Sequence, residues 1–304
     1  MKLIRLQGII PWVHHYYWSH PFFIFQQMIN ERLKNIVQLD YAGDSSFVPI
    51  FDQFDAVESG AADVALGISS YYTHRIPEAM CVLYSHHSPA QLRTNGFYEY
   101  FRELHLRKGN VVYLANTGGV CKTAFRLFFN KKIADCDSVK GLRVRTLPVY
   151  VSLVKALGGI PVSIKPTDLL AALKKNEIDG YGWSYGGIAS YGWENLTKYV
   201  LEHSFYSANT CLLINKSKWD SFPAEVRIEL EQIGCDLELE AERAMRAYNK
   251  NEDVFLKGLN IDFLSFSDEE KQRFIKTAYD AGWSSLSVQD DDELNKLQLY
   301  LTGG

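Results

Sequence analysis

The feature that most constrains the fold of this chain is a repeated alternation of short strand-type segments with helix-type segments. Residues 3–10 have the alternating apolar pattern of a strand, and residues 22–33 have the apolar spacing of a helix. Residues 37–41 predict a second strand, and residues 63–68 predict a buried one. Because no repeated hairpin turns separate these segments, the pattern predicts an α/β fold with largely parallel sheets.

The alternation continues through the rest of the chain. Further strands are predicted at residues 110–114, 142–146, 161–164 and 210–215. Further helices are predicted at residues 47–58, 149–157, 168–175 and 219–247. We expect Gly60 to end the first of these helices, Thr167 to cap the third, and Gly234 to break the fourth lightly. Another helix is predicted to begin at Ser267.

Composition and charge exclude several classes of protein. The chain has 304 residues, which favours two lobes over one core. A net charge of -4 without a basic stripe argues against nucleic-acid binding. No stretch of about 18 apolar residues occurs, so no membrane span is predicted. The first residues alternate like a strand and not like a signal peptide, so either the protein is cytosolic or its leader has been removed.

Neither the cysteines nor the catalytic motifs searched for point to a reaction or to a metal site. Five scattered cysteines without a C-x-x-C pair argue against a disulfide framework or a structural metal. Cys81, Cys121 and Cys211 lie in apolar runs and are expected to be buried thiols. The chain has no G-x-x-x-x-G-K-[ST], H-E-x-x-H or G-x-S-x-G motif, which argues against the commonest enzyme classes. The adjacent histidines His14 and His15 lack metal-ligand spacing, so no metal and no cofactor is predicted.

Three arginines are candidates for binding an anion. Arg143 and Arg145 lie two apart in a predicted strand, so their side chains start on the same face. Arg126 lies among four apolar residues, where a charge is costly unless it is paired or reaches a cleft. It either snorkels, pairs with an internal carboxylate, or grips an anion through two hydrogen bonds. The sequence leaves these alternatives open.

A glycine- and aromatic-rich stretch at residues 179–187 is a second candidate. In an extended chain its three alternate aromatic residues, Tyr181, Trp183 and Tyr185, share a face. The intervening glycines let other groups approach the backbone closely. The stretch therefore predicts either a flat aromatic wall over a ligand or a plain packing surface.

Four short motifs in a fixed order resemble a known family. They are KGLRVR at residues 140–145, LGGIPV at 157–162, LAAL at 170–173 and IDG at 178–180. The ordered set is similar to the signature of DctP-type substrate-binding proteins of TRAP (tripartite ATP-independent periplasmic) transporters. Flanking matches, such as Phe125-Arg126 with Asn130, extend the resemblance over roughly residues 3 to 245.

The resemblance implies a two-lobed periplasmic-binding-protein-like fold of type II, with crossing strands and a long connecting helix. Lobe I would comprise residues 1–124 and 206–250, and lobe II residues 125–205 and 251–304. It also implies that a small organic carboxylate binds in the cleft between the lobes and is delivered to a TRAP membrane permease. The expected location is periplasmic, with the leader absent from this chain.

The resemblance also distinguishes the candidate residues. It implies that Arg145 forms the main salt bridge to the ligand carboxylate, that Arg126 is a second arginine near the cleft, and that Arg143 is a solvated neighbour. A branch of the family that binds 2-oxoacids carries Glu-Trp where this chain has Gly182 and Trp183, so no bound cation is expected. Sialic-acid-binding members carry asparagine at the position of Trp183, so a flat or apolar ligand body is favoured.

Further ligand contacts are expected where strands end, because such folds bind ligands outside strand ends. For each of these residues, packing within a loop is the alternative. The predicted contacts are Trp12, His14, Tyr17, Ser69, Ser70, Tyr71, Tyr185 and Asn209.

These expectations lead to one main hypothesis and two alternatives. The main hypothesis is a receptor without catalysis that binds a monocarboxylate, with an aromatic acid as one candidate, and closes over it. The first alternative is an α/β enzyme that acts on a small organic acid with His14 as general base. The second is a stand-alone sensory or scavenging binding protein that has no permease.

Overall fold

The computed structural model describes residues 3–118, 124–184, 187–288 and 290–303. In these ranges the strands are β1 (Ile4–Ile9), β2 (Val37–Gly43), β3 (Val64–Gly67), β4 (Val111–Asn116), β5 (Ala124–Phe129), β6 (Arg143–Thr146), β7 (Ile160–Ser163), β8 (Gly180–Ser184), β9 (Tyr199–Leu201), β10 (Phe205–Ser207), β11 (Cys211–Asn215) and β12 (Asp262–Leu264). The α-helices are α1 (His20–Arg32), α2 (Gln53–Ser59), α3 (Pro89–Thr94), α4 (Phe97–Gly109), α5 (Val151–Ala156), α6 (Pro166–Lys174), α7 (Lys216–Asp220), α8 (Ala224–Lys257), α9 (Asp268–Ser284) and α10 (Asp291–Thr302). The mixed α/β class predicted from the sequence is confirmed.

The chain divides into two compact units. Unit 1 comprises residues 1–120, 209–244 and 288–304, and unit 2 comprises residues 121–208 and 245–287. The division differs from the predicted lobes chiefly at the C terminus, because residues 288–304 belong to unit 1 and not to the second lobe.

The physical reason for this difference is the packing of α10. Its Leu297 and Leu301 are fully buried, and the Asn95 side chain donates a hydrogen bond to the Tyr300 carbonyl at 2.7 Å. These contacts tie the last helix to the α3 and α4 region of unit 1, which helical periodicity alone does not reveal.

Unit 1 is built on a five-stranded sheet with the order β2-β1-β3-β11-β4. β1 is parallel to β2 and β3, whereas β11 is antiparallel to β3 and β4. Cys211 at the start of β11 lies opposite Gly67 and Asn116, which end their strands. The carboxyl ends of β1, β3 and β4 and the amino end of β11 therefore meet at one edge of this sheet.

Unit 2 is built on a second sheet with the order β12-β9-β5-β8-β6-β7, and β10 pairs with β5. β6 is parallel to β7 and β8, while β5 is antiparallel to β8. In the β5–β8 ladder, Arg126 lies opposite Trp183 and Phe125 lies opposite Ser184. The carboxyl ends of β6 and β8 and the amino end of β5 thus form one edge of this sheet.

The long helix α8 runs without a break through Gly234, so the predicted interruption there is wrong. A Cβ atom at Gly234 would lie 3.1 Å from the Leu114 carbonyl oxygen. The glycine therefore lets α8 approach β4 closely and does not end the helix. The predicted start is also wrong, because Trp219 belongs to the separate short helix α7.

Two other local predictions need correction and two are confirmed. α6 begins at Pro166 after Lys165, so Thr167 lies inside the helix and does not cap it. α2 begins only at Gln53, but it ends at Gly60 in the left-handed conformation (φ 80°) as predicted. Ser267 caps α9 by accepting a hydrogen bond from the Glu270 amide.

Cys81 and Cys211 are buried and unpaired, as predicted, and Cys121 lies outside the described residues. Cys136 is a further buried free thiol, and Cys235 is half-buried. None of the helices in the described ranges has the length and apolar character needed to cross a bilayer.

Candidate functional site

The most unusual side chain in unit 2 is that of Arg145, which is fully buried near the carboxyl end of β6. Its Nε donates to the Ile164 carbonyl at 2.9 Å. Its Nη1 donates to the Tyr150 hydroxyl at 3.2 Å and to the Gly182 carbonyl at 3.3 Å. Its Nη2 is buried and has no hydrogen-bond partner among the described residues. The guanidinium is thus held rigidly while one donor edge stays unused.

Arg145 also has no negative partner, because no carboxylate of the described chain lies within ion-pair distance of it. A guanidinium stays protonated in proteins, and burying an unpaired charge costs several kcal/mol. Its contacts to carbonyl and hydroxyl oxygens offset only part of that cost, because those groups are neutral. The arrangement is suited to an anion that approaches the free Nη2 edge.

Arg143 lies in a different environment although it shares the strand with Arg145. It forms a salt bridge with Asp179, whose Oδ2 is 3.1 Å from Arg143 Nε and also accepts from the Arg143 amide at 3.0 Å. Burial opposes ionisation of Asp179, but hydrogen bonds from Arg143 and Lys131 outweigh it and hold the pKa of Asp179 well below its usual range. Arg143 is 42% exposed. The expectation that Arg143 is a merely solvated neighbour is therefore wrong. Its salt bridge with Asp179 links β6 to the start of β8.

Trp183 lies beside Arg145 on the neighbouring strand β8. The Arg145 Cζ is 5.2 Å from the centroid of the Trp183 ring, within the range of a cation–π interaction. The rings of Trp193 and Tyr191 pack edge-to-face on Trp183 at 4.9 and 5.8 Å. In the part of the chain that the structure describes, the buried indole N–H of Trp183 finds no hydrogen-bond acceptor. Trp183 thus combines a fixed aromatic body with an unused donor.

Arg126 is the second cation at this edge of the sheet. It lies opposite Trp183 in the β5–β8 ladder, so the two side chains leave the sheet on the same face. Burial lowers the pKa of Arg126, and the negative charges of Asp253 and Glu202 act in the opposite direction. The structure therefore brings Arg126, Trp183 and Arg145 to one edge of the unit 2 sheet.

The position of Gly182 shows why the chain lacks a carboxylate there. A Cβ atom at Gly182 would lie 2.5 Å from the ring of Tyr150, and the Tyr150 hydroxyl donates to the Gly182 carbonyl at 2.5 Å. Burial raises the pKa of Tyr150 to about 12, so the hydroxyl remains a neutral donor. Any longer side chain at Gly182 would have to displace this tyrosine. In the described ranges, no three histidine, cysteine, aspartate or glutamate side chains gather as metal ligands would.

At the strand-end edge of unit 1, the predicted polar residues contact one another. The Ser69 hydroxyl donates to Asn209 Oδ1 at 2.6 Å, and Asn209 Nδ2 donates to Asn116 Oδ1 at 2.7 Å. Ser69, Ser70 and Asn209 are all buried. Sequence reasoning placed them at the ends of strands, but it could not show that two of them share a hydrogen bond.

The aromatic residues predicted in the first loop pack mainly on neighbouring rings. Trp12 is half-buried against Tyr16, with ring centroids 5.4 Å apart. His14 is exposed, and its ring lies 4.3 Å from that of Phe23. Contact of Trp12 and His14 with a ligand remains a prediction.

The other predicted aromatic contacts have mixed outcomes. Tyr17 is half-buried with its ring 6.3 Å from that of Trp18, and Tyr71 is half-buried 4.9 Å from the ring of Phe51. Both remain predictions as ligand contacts. Tyr185 lies outside the described residues.

The sequence reasoning missed Tyr150, Tyr191 and Trp193, which orient Arg145 and Trp183. Tyr191 and Trp193 stack at 4.5 Å with an interplanar angle of 14°. The only available signal was the Tyr-Gly-Trp spacing at residues 191–193, which by itself points to no particular partner.

Comparison with known proteins gives one family and several relatives. The profile of DctP, described as bacterial extracellular solute-binding protein, family 7, matches residues 22–285. A solute-binding protein of Albidiferax ferrireducens is 20% identical over 280 residues, which cover 88% of this chain and 80% of the relative. An uncharacterized protein of Haemophilus influenzae is 28% identical over 161 residues, or 49% of each chain. The match thus spans about half the length of that relative.

Solved structures resemble the whole chain at low identity. An extracytoplasmic solute receptor of Bordetella pertussis that binds pyroglutamic acid superposes with a TM-score of 0.83 at 13% identity, covering 98% of this chain and 99% of the receptor. A TRAP periplasmic solute-binding protein of Desulfovibrio salexigens with bound orotic acid gives a TM-score of 0.83 at 14% identity, covering 97% of both chains. At this identity the likeness establishes the fold, which is the two-lobed periplasmic-binding type.

Proposed function

Because the chain belongs to the DctP family of bacterial extracellular solute-binding proteins, we propose that it is a receptor for a small organic monocarboxylate whose carboxylate pairs with Arg145. The family match confirms the resemblance inferred from the four ordered motifs. The family and the similar structures are solute-binding receptors of TRAP transporters. Two points go beyond the family match and are our proposals: the residue that binds the ligand, and the chemical class of the acid.

One observation supports the proposal most strongly, namely the buried guanidinium of Arg145 with a free Nη2 and no carboxylate partner. A ligand carboxylate would supply the missing charge and accept from Nη2. Such charge-assisted hydrogen bonds are short and roughly twice as strong as neutral ones. Because the site is buried, little solvent screening would weaken the pair.

Arg126 and Trp183 are proposed to complete the site on unit 2. Arg126 adds positive charge at the same sheet edge, and the indole of Trp183 offers an apolar wall. The residues predicted on unit 1, together with Tyr185, remain proposed contacts for the body of the ligand. We expect no bound cation, because Tyr150 fills the space that a carboxylate side chain at position 182 would take.

The proposed ligand is flat and carries one carboxylate. The similar structures contain ring carboxylates such as pyroglutamic acid and orotic acid, and one from Rhodoferax ferrireducens contains the open-chain acid malonate. They support a small organic acid, and the flat body is proposed from the aromatic face of Trp183. We further propose that the protein acts in the periplasm and delivers its ligand to a TRAP permease. Transport by proteoliposomes containing the permease, with and without this receptor, tests that step.

The enzyme alternative had His14 as general base. In the structure His14 is exposed, and its ring packs on Phe23. The family consists of receptors. Following each acid by chromatography during long incubation with the protein would reveal turnover, and we expect none.

A thermal-shift comparison of two arginine variants tests the proposed role of Arg145. A panel of aliphatic, aromatic and lactam acids is screened first, and the acid with the largest shift is carried forward. At about 100 times its Kd, a ligand stabilises a protein by about 2.7 kcal/mol, which corresponds to roughly 5 °C for a chain of this size. We expect Arg145→Ala to abolish this shift.

The matched control is Arg143→Ala, two residues away on the same strand. It should lower the melting temperature without ligand, because Asp179 loses a partner, yet keep most of the ligand-induced shift. Equal losses of the shift in the two variants would contradict the assignment of Arg145.

A further inference from the structure

Trp183 carries the second unused donor of the site. Among the six tryptophans, all of which lie in the described ranges, only Trp183 has an indole N–H that is buried without a hydrogen-bond partner. Buried tryptophan N–H groups usually find an acceptor, because leaving one unpaired forfeits its hydrogen bond with water. A donor left unpaired beside the unpaired Arg145 Nη2 suggests that a ligand satisfies both.

The direction of this N–H is fixed by its surroundings. Trp193 and Tyr191 pack on the Trp183 ring at interplanar angles of 84° and 82°, and they stack on each other. The Arg145 guanidinium lies over the ring at 5.2 Å. With its ring held in this way, the indole cannot turn its N–H toward another acceptor of the protein.

The two free donors belong to groups that are placed differently about the indole ring. The guanidinium of Arg145 lies over the face of the ring, whereas an indole N–H lies in the plane of the ring. A carboxylate paired with a guanidinium on the face side is therefore not expected along the in-plane direction of the indole N–H. An oxygen elsewhere on the ligand would have to accept from Trp183.

We propose that the natural ligand carries a second neutral hydrogen-bond acceptor beyond its carboxylate, such as a ring carbonyl, hydroxyl or ether oxygen, and that Trp183 Nε1 donates to it. This inference rests on the proposed function, since Arg145 must hold the carboxylate. It assigns Trp183 a donor role in specificity in addition to its apolar face. Acids with a purely hydrocarbon body would leave the donor buried and unpaired, so the site would disfavour them.

The test uses pairs of acids that differ only in the acceptor. Cyclopentanecarboxylate is compared with tetrahydrofuran-2-carboxylate, in which a ring oxygen replaces one CH2 group, and with 3-oxocyclopentanecarboxylate, in which a carbonyl replaces one, by titration calorimetry on the full chain. For at least one pair, the wild-type protein should bind the acceptor-bearing acid about tenfold or more tightly. Trp183→Phe keeps the aromatic wall but removes the N–H, and should reduce this preference to within about threefold.

The control variant is Trp219→Phe, which removes an indole N–H from the hydrophobic core of unit 1 and leaves the groups around Arg145 and Trp183 unchanged. It should keep the wild-type preference between paired acids. If Trp183→Phe weakened the binding of both acids of a pair equally, Arg145 Nη2 and Trp183 Nε1 would both donate to the carboxylate. That result would overturn the inference. An unchanged preference in Trp183→Phe would overturn it as well.

A second readout uses the wild-type protein and so does not depend on the folding of a variant. In a 1H–15N spectrum, the indole resonance of Trp183 should move downfield when the acceptor-bearing acid binds and stay near its free position with the hydrocarbon acid. The two proposals fail separately. If Arg145→Ala binds the acids normally, or if no acid binds the wild type, the proposed function fails. If the acids bind but the Trp183 resonance does not respond, only the proposed hydrogen bond from Trp183 to a second acceptor is contradicted.

Discussion

The strand-end edges of the two sheets differ in how their buried polar groups are satisfied. At the edge of unit 1, Ser69 donates to Asn209 and Asn209 donates to Asn116, so these groups satisfy one another. At the edge of unit 2, Arg145 and Trp183 are equally buried, yet each keeps a donor without a partner. The comparison indicates that burial alone does not identify a binding residue. At this edge, the candidates are distinguished by an unpartnered donor on a buried cation and on the aromatic ring beside it.

The same contrast occurs within β6. Arg143 and Arg145 are two residues apart, but Arg143 has Asp179 as a counter-ion and Arg145 has none in the described chain. A satisfied arginine contributes to the stability of the fold, whereas an unsatisfied one is available to a ligand. The comparison therefore makes different predictions for stability and for binding.

Ser69→Ala should produce the largest loss of stability on the satisfied edge. It removes the donor to Asn209 Oδ1 and leaves a buried acceptor without a partner. Such a loss costs about 1–3 kcal/mol of the free energy of unfolding. Urea denaturation followed by circular dichroism measures it.

The matched control for Ser69 is Ser59→Ala, whose exposed hydroxyl donates only to the Ala56 carbonyl. Its effect should stay within about 0.5 kcal/mol. A loss for Ser69→Ala no larger than that for Ser59→Ala would show that the buried groups of the unit 1 edge do not depend on one another. The contrast between the two edges would then no longer hold.

Asp179→Asn should have a smaller effect that depends on pH. The pKa of Asp179 is lower in the folded protein than its ordinary value of 3.8, so its ion pair stabilises the fold fully above that value and less as the pH falls below it. Because Arg143 and Lys131 are partly exposed to solvent, we expect a contribution of about 1 kcal/mol at pH 7. Unfolding measured between pH 7 and pH 2 should show a constant difference above about pH 4 that narrows as the pH falls further.

Asp280→Asn is the control for this change, because Asp280 pairs with Lys276 on the exposed face of α9. The control should match the wild type at every pH within about 0.5 kcal/mol. A difference between Asp179→Asn and the wild type that stays constant down to pH 2 would show that the ion pair is not the source of stability.

The alternation of strands and helices was enough to predict the α/β class and the approximate positions of β1, β6 and β11. Local spacing also placed Arg143 and Arg145 on one strand. The distinction between them depends on Asp179, which lies 36 residues downstream of Arg143. In the same way, Ser69 and Asn209 bond across 140 residues. Contacts over such separations leave no periodic signal in the sequence.

Two further errors have specific physical causes. Gly234 looked like a helix break because glycine lowers helix propensity, but close packing on Leu114 requires a small residue there. The C-terminal helix was assigned to the wrong unit because helical spacing shows which face is apolar and not which surface it covers. The motifs succeeded where spacing failed, since they singled out Arg145 before its environment was known.

The most direct test of the account is a crystal structure of the protein with the tightest-binding acid of the panel. We predict a carboxylate oxygen about 2.7–2.9 Å from Arg145 Nη2, the donor that is unused in the structure described above. Arg143 should remain bonded to Asp179 in the same crystal. A bound acid whose carboxylate lies on another group, with Arg145 Nη2 still unpartnered, would contradict the central claim.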